Sequence, residues 1–207
     1  MKVLDDLAIC RMRVRLRAQT TLQASPTPAE VHGKKAWTVL RKLFETMVEN
    51  SIHHAGGKVL STYNEKDVAL SAVLKNGTRT WGILLRGRID LATLVYFRGS
   101  LFTVLFEVTE YKEASRVVRH RLQSYASALY GEIGFPIVPV LVIVRDHDTV
   151  EDVLVMSSDA SVSGRDLMKV ISRLMKTLSD EKEPEPPSGE ICAFCDPPIR
   201  RVCPYTH

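Results

Sequence analysis

Apolar positions Trp37, Leu40, Leu43, Phe44, Met47 and Val48 recur at helical spacing and predict an amphipathic helix with one buried face. Thr27 and Glu30 form a capping-box pattern ahead of it, with Pro28 in the first helical position, and Gly56-Gly57 closes the region. The period then changes to two. Val68, Leu70, Ala72 and Leu74 alternate with polar or small residues, Asn76-Gly77 supplies a type I′ turn signal, and Trp81, Ile83 and Leu85 continue the alternation. A second hairpin is predicted from the runs Ile89–Phe97 and Leu101–Val108 around Arg98-Gly99-Ser100. Residues 114–130 carry Val117, Val118, Leu122, Ala126 and Leu129 at helical spacing. Ile137–Val144 is a continuous, β-branched run, the pattern of a central strand buried on both faces. Val153–Met156 reads as a shorter strand, and Ser163 as the cap of a helix through Leu167, Val170, Ile171, Leu174 and Leu178.

The two ends are less regular. Arg11, Arg13, Arg15 and Arg17 alternate with Met12, Val14 and Leu16; the period suits a strand, the residue types suit a helix, and the reading leans to a helix. Residues 21–28 read as a connector, and 180–190 as an acidic, Pro-rich linker. The element order predicts one mixed α/β domain over 1–207, with helices packed on a mixed sheet. Its 207 residues are enough to bury about 70% of the unfolded surface, so neither a metal nor a disulfide is needed merely to fold. With 45% hydrophobic and 25% charged residues, a wholly disordered chain is excluded. No apolar run approaches a membrane span, and Met1–Asp6 lacks a signal-peptide core, so a cytoplasmic protein is expected. A net charge of +4 does not by itself demand a nucleic-acid partner.

Two constellations carry chemistry. Asp90 and Glu107 are carboxylates inside otherwise apolar strands joined by a tight turn. Buried carboxylates need a partner, a cation or a raised pKa, and neighbouring strands let these two converge on one hard divalent ion such as Mg²⁺ or Mn²⁺. His32, near the start of the first predicted amphipathic helix, would complete a His, Asp and Glu set. The plainer alternative pairs Asp90 with Arg86 or Arg88 and leaves Glu107 at a solvated strand end. The other constellation is Cys192-Ala-Phe-Cys195 with Cys203 and the distant Cys10. Four thiolates suit zinc or an iron–sulfur cluster, and either would staple segment 1–28 to the tail 188–207; the plainer alternative is a disulfide, which a cytoplasmic setting disfavours, or unrelated free thiols.

In order along the chain stand Glu30-Val31-His32, Gly87-Arg88-Ile89-Asp90, Glu107-Val108-Thr109, His120–Tyr125 and Cys-x-x-Cys…Cys-Pro. This series resembles the motifs of RecB-like PD-(D/E)XK nucleases. The one-plus-three cysteine pattern is similar to the CRISPR-associated Cas-four exonucleases, their viral relatives and the iron–sulfur nuclease of AddB. The resemblance implies a restriction-endonuclease-like core and a metal-dependent exonuclease of single-stranded DNA ends, acting in CRISPR spacer acquisition and antiviral defence. His32, Asp90, Glu107 and the Val108 carbonyl would bind Mg or Mn. Gln123 and Tyr125 would position DNA, with phosphate contacts from the basic N-terminal segment (Arg11, Arg13). Cys10, Cys192, Cys195 and Cys203 would hold an iron–sulfur cluster, 4Fe-4S by preference over 2Fe-2S or zinc. CRISPR adaptation proteins and further copies in a ring are the partners it implies. Two positions depart from the family. Thr109 stands where it has Lys, leaving Lys112 as the nearby substitute, and Gln123 and Tyr125 are two residues apart rather than one helical turn. The departures point to a competing reading, a catalytically weak DNA-binding adaptor.

Overall fold

The computed structural model describes residues 4, 7, 10–19, 37, 41, 45–76, 79–109, 114–145, 149–155, 160–179, 184, 195 and 197–205. Leu4 and Leu7 are helical, and helix α1 (Arg11–Gln19) follows, so residue propensity rather than the period-two pattern decides the basic segment. Residues 45–54 form α2, and Trp37 and Arg41 are also helical. Five strands, β1 (Lys58–Asn64), β2 (Asp67–Asn76), β3 (Arg79–Arg88), β4 (Leu91–Phe97) and β5 (Ser100–Thr109), lead into α3 (Ala114–Ile133). Then follow β6 (Ile137–Arg145), β7 (Thr149–Val155), α4 (Ala160–Ser179) and the short α5 (Pro197–Val202).

The main sheet has the order β1-β4-β5-β6-β7, antiparallel except for the parallel β5–β6 pair, whose crossover is α3. It is covered on both faces. Leu105 and Leu141 face a core shared with Val14 of α1, Val118, Leu122 and Leu129 of α3, and Leu167, Ile171 and Leu174 of α4. On the reverse, Leu91, Phe106, Val140 and Val142 pack against Trp37, with Val48 beside them. Strand β6 is therefore buried on both sides, as its apolar run predicts. The fold is a mixed α/β domain with a mixed sheet flanked by helices.

Several expectations change. Strand β1 is absent from the sequence reading: Lys58–Asn64 alternates weakly and sits at the sheet edge, half-exposed. The hairpin β2–β3 has the predicted strands but forms its own two-stranded sheet. Its inward residues Val68 and Leu85 join the main core, while Val73 and Leu84 face outward. Strand β7 starts earlier than Val153, and α4 starts before Ser163, at Ala160. Met47, predicted on the buried helical face, is 56% exposed, because Val48 alone of that pair reaches the sheet. Helix α5, opened by Pro197-Pro198, escapes the periodicity because it is only six residues long.

Candidate active site

Asp90 lies where one pair of strands changes sheets. The β2–β3 ladder ends at Asp67↔Arg88 and the β1–β4 ladder ends at Asn64↔Leu91. The register is the same on both sides of the break, so the two sheets are one long antiparallel pair kinked at Glu65–Lys66 and Ile89–Asp90. Two main-chain bonds bridge the kink: the Glu65 N–H donates to the Asp90 carbonyl (3.0 Å), and the Ile89 N–H to the Lys66 carbonyl (2.9 Å). Glu65 takes a left-handed backbone (φ 46°), where a side chain costs roughly 1–2 kcal/mol, and that conformation turns the strand. Sequence reasoning missed this device, since Glu is not a residue that signals it.

On the other side of β4, Leu91 pairs with Phe106 of β5, so Asp90 stands opposite Glu107 by continuation of that register. Directly opposed residues of an antiparallel pair share a face, which aims both carboxylates at α3. Glu107 is buried and Asp90 partly so. Burial, and next the charge of Glu107, push the Asp90 carboxyl up to about 8; the Val108 N–H and Arg121 act in the opposite sense. The Val108 N–H donates to Asp90 Oδ2 at 3.3 Å and fixes that oxygen against the strand.

Helix α3 supplies the opposing side. Arg121 Nη2 donates to Glu107 Oε1 at 2.5 Å, an ion pair that a search for metal-ligand motifs overlooks. The requirement that a buried carboxylate have a cation was the available signal. The alternative partner Arg88 is taken elsewhere: its Nε bonds Asp67 Oδ1 at 2.9 Å on the surface. Gln123 and Tyr125 are both buried despite their two-residue spacing. The Gln123 Oε1 atom has no hydrogen-bond partner among the described residues. Tyr125 lies on the backbone of Gly87, where an added Cβ would meet Cε1 at 2.5 Å. Glycine in the Gly87–Asp90 motif is therefore required by close approach, not by backbone freedom. Beside it an open groove of about 1090 Å³ runs between β2–β3 and α3, lined by Arg86, Gly87, Arg88, Ser127, Ala128 and Gly131 among others.

The remaining expected residues are only partly brought together. His32, Lys112 and Cys192 lie outside the described residues; β5 ends at Thr109. Arg11 is exposed whereas Arg13 is buried, which leaves Arg11 to meet solvent. Cys10 and Cys203 share a small buried cluster with Met12, with Leu16 and Tyr205 packed on it, and Cys195 is also buried. Cys10 directly precedes α1, and its carbonyl accepts the Val14 N–H at 3.4 Å. The N-terminal and C-terminal segments thus meet at two of the four cysteines. Among the described residues, no three of His, Cys, Asp and Glu converge to hold a metal ion. Among these residues, too, no helix is long and apolar enough to cross a membrane.

No family model matches the chain, and no curated protein does. Its likeness is to solved structures. One is a Eubacterium rectale protein described as a candidate exonuclease, with a TM-score of 0.52 and 10% identity, over 97% of this chain and 86% of that one. Another is SSO0001, with a TM-score of 0.47 and 16% identity, over 99% of this chain and 86% of that one. The first likeness is one of architecture, and it makes the mixed sheet with its flanking helices compatible with a nuclease-like fold.

Proposed function

We propose that this chain is a divalent-metal-dependent deoxyribonuclease that hydrolyses phosphodiester bonds at single-stranded DNA ends. The observation that carries the reading is the opposed pair Asp90 and Glu107, with the Asp90 carboxyl pushed up to about 8. Two carboxylates held together at that cost form the donor set that a hard divalent cation relieves. Asp90, Glu107, His32 and the Val108 carbonyl would hold Mg²⁺ or Mn²⁺, which when bound supplies an activated water and charge stabilisation at the phosphate. The chain's own contribution is positioning: the Val108 N–H fixes an Asp90 oxygen, and Arg121 fixes Glu107. Lys112 would take the role of the missing motif Lys, and Gln123 and Tyr125 would support the strand beside the groove. Cys10, Cys192, Cys195 and Cys203 would hold an iron–sulfur cluster as a structural staple; the joint burial of Cys10 and Cys203 supports it. On the motif resemblance, the biological step is trimming of fragments before integration as CRISPR spacers.

One observation favours a second reading, a DNA-binding adaptor with little catalysis. Arg121 occupies an oxygen of Glu107, and Thr109 stands in place of the motif Lys. A cleavage assay on end-labelled single strands with Mn²⁺ decides between them. The nuclease reading expects Mn²⁺-dependent shortening that Asp90→Ala abolishes; cleavage surviving in Asp90→Ala, or none in the wild type, transfers the case to the adaptor. Thr109→Lys should then raise the wild-type rate by about 10²–10³ if the absent Lys limits it.

A further inference from the structure

The charge of this protein is segregated. Helices α1, α4 and α5 carry ten of its 28 basic residues (Arg11, Arg13, Arg15, Arg17; Arg165, Lys169, Arg173, Lys176; Arg200, Arg201) and one of its 24 acidic residues, Asp166. These three helices therefore sum to +9, while the rest of the chain sums to −5. They are also adjacent: α1 packs on α4 and on α5.

Within this group α4 is ordered. Leu167, Ile171 and Leu174 are buried in the core, and Thr177 is buried beside them. Arg165, Lys169, Arg173 and Lys176 are all exposed, at steps of four, four and three residues along the opposite face. At a rise of about 1.5 Å per residue, the row is roughly 16 Å long with successive cations about 5–6 Å apart along the axis. Arg11 of α1 and Arg200 and Arg201 of α5 are exposed on the neighbouring helices. The helix α4 has no aromatic residue on which a base could stack. Most of its apolar side chains are spent on the core; Met168 and Leu178 are exposed singly, ten residues apart, rather than as a continuous apolar face of the kind that enters a bilayer.

We infer that the exposed face of α4, extended by α1 and α5, is a sequence-independent track for the phosphate backbone of a DNA strand. It is separate from the carboxylate pair, which lies between β4, β5 and α3. Charge complementarity selects the occupant: a regular row of four cations with no aromatic side chain matches a repeating phosphate backbone and reads no sequence. The inference rests on the nuclease reading only for the choice of DNA as the polyanion.

The test measures binding without cleavage. Fluorescence anisotropy of a labelled single strand is followed on the full chain in EDTA, across a salt series. Replacing two cations, Arg173→Glu with Lys176→Glu, should weaken binding at least about tenfold and reduce the salt slope by roughly 1.4, at about 0.7 per lost phosphate contact on a single strand. Lys75→Glu, on the exposed β2 hairpin, should change neither quantity. The milder Arg173→Gln with Lys176→Gln pair, checked by circular dichroism, gives the same readout if the Glu pair fails to fold. Equal affinity and slope in the α4 variants and Lys75→Glu would overturn the inference, as would tighter capture by phosphatidylserine vesicles that DNA does not displace. Because EDTA removes the cleavage arm, a chain that binds through α4 but never cuts keeps the inference and loses the nuclease reading. A chain that cuts, with α4 variants that bind normally, does the reverse.

Discussion

Replacing Asp90 with Asn should stabilise the metal-free protein at alkaline pH. The carboxyl titrates at about 8 in the fold instead of 3.8, first because burial penalises its charge and then because Glu107 repels it. Between those values the folded chain holds a proton that the unfolded chain has released. The stability this proton contributes is complete below about pH 4 and is lost as pH rises through about 8. At roughly 1.4 kcal/mol per pH unit, the full interval has a ceiling of about 6 kcal/mol. Partial exposure of Asp90 screens this, and about 2–3 kcal/mol is the working expectation. For a chain of this size that is about 5–10 °C in melting temperature. Asn keeps the shape, carries no charge and can still accept the Val108 N–H bond. Thermal melts in EDTA should therefore show Asp90→Asn about 5–10 °C above the wild type near about pH 8.5, with the two curves converging near about pH 4.5. Mn²⁺ at about a hundred times its dissociation constant should add about 2.7 kcal/mol to the wild type and much less to the variant. If Asp90→Asn melts at or below the wild type at alkaline pH, the strained-carboxylate reasoning is refuted.

Three other changes probe the same region from different sides. Arg121→Ala removes the cation from buried Glu107 and should cost about 3–5 kcal/mol in urea denaturation, whereas Arg121→Ala with Glu107→Gln should recover much of that loss. Gly87→Ala forces a methyl group against the Tyr125 ring and should cost about 1–3 kcal/mol; Tyr125→Leu in the same chain should relieve it, and strict additivity in the double-mutant cycle would disprove the contact. Cys10→Ser should lower the melt and leave the C-terminal tail open to protease, with loss of visible absorption from anaerobically purified protein if the cluster is iron–sulfur; an unchanged melt and spectrum would show that Cys10 is no ligand.

Much of this protein was legible along the chain because its signals are local. The period-two runs around Asn76-Gly77 and Arg98-Gly99-Ser100 determine both hairpins, and the unbroken β-branched run from Ile137 determines a strand buried on both faces. A tight turn between two apolar strands also makes Asp90 and Glu107 neighbours; that they stand directly opposite is decided by the register, in which Ser100 pairs with Phe97 and leaves a two-residue turn, Arg98-Gly99, one residue shorter than the sequence predicts. What the tertiary structure decided depends on groups far apart in sequence. The kink at Glu65 moves β2–β3 out of the main sheet and leaves Asp90 at the junction, a backbone conformation that no residue type there announces. The pairing of Arg121 with Glu107 while Arg88 turns to Asp67 is a choice among several nearby cations, settled by which helix packs over β5. Bringing the basic helices α1, α4 and α5 together likewise follows from packing, because a net charge of +4 carries no information about where its charges lie.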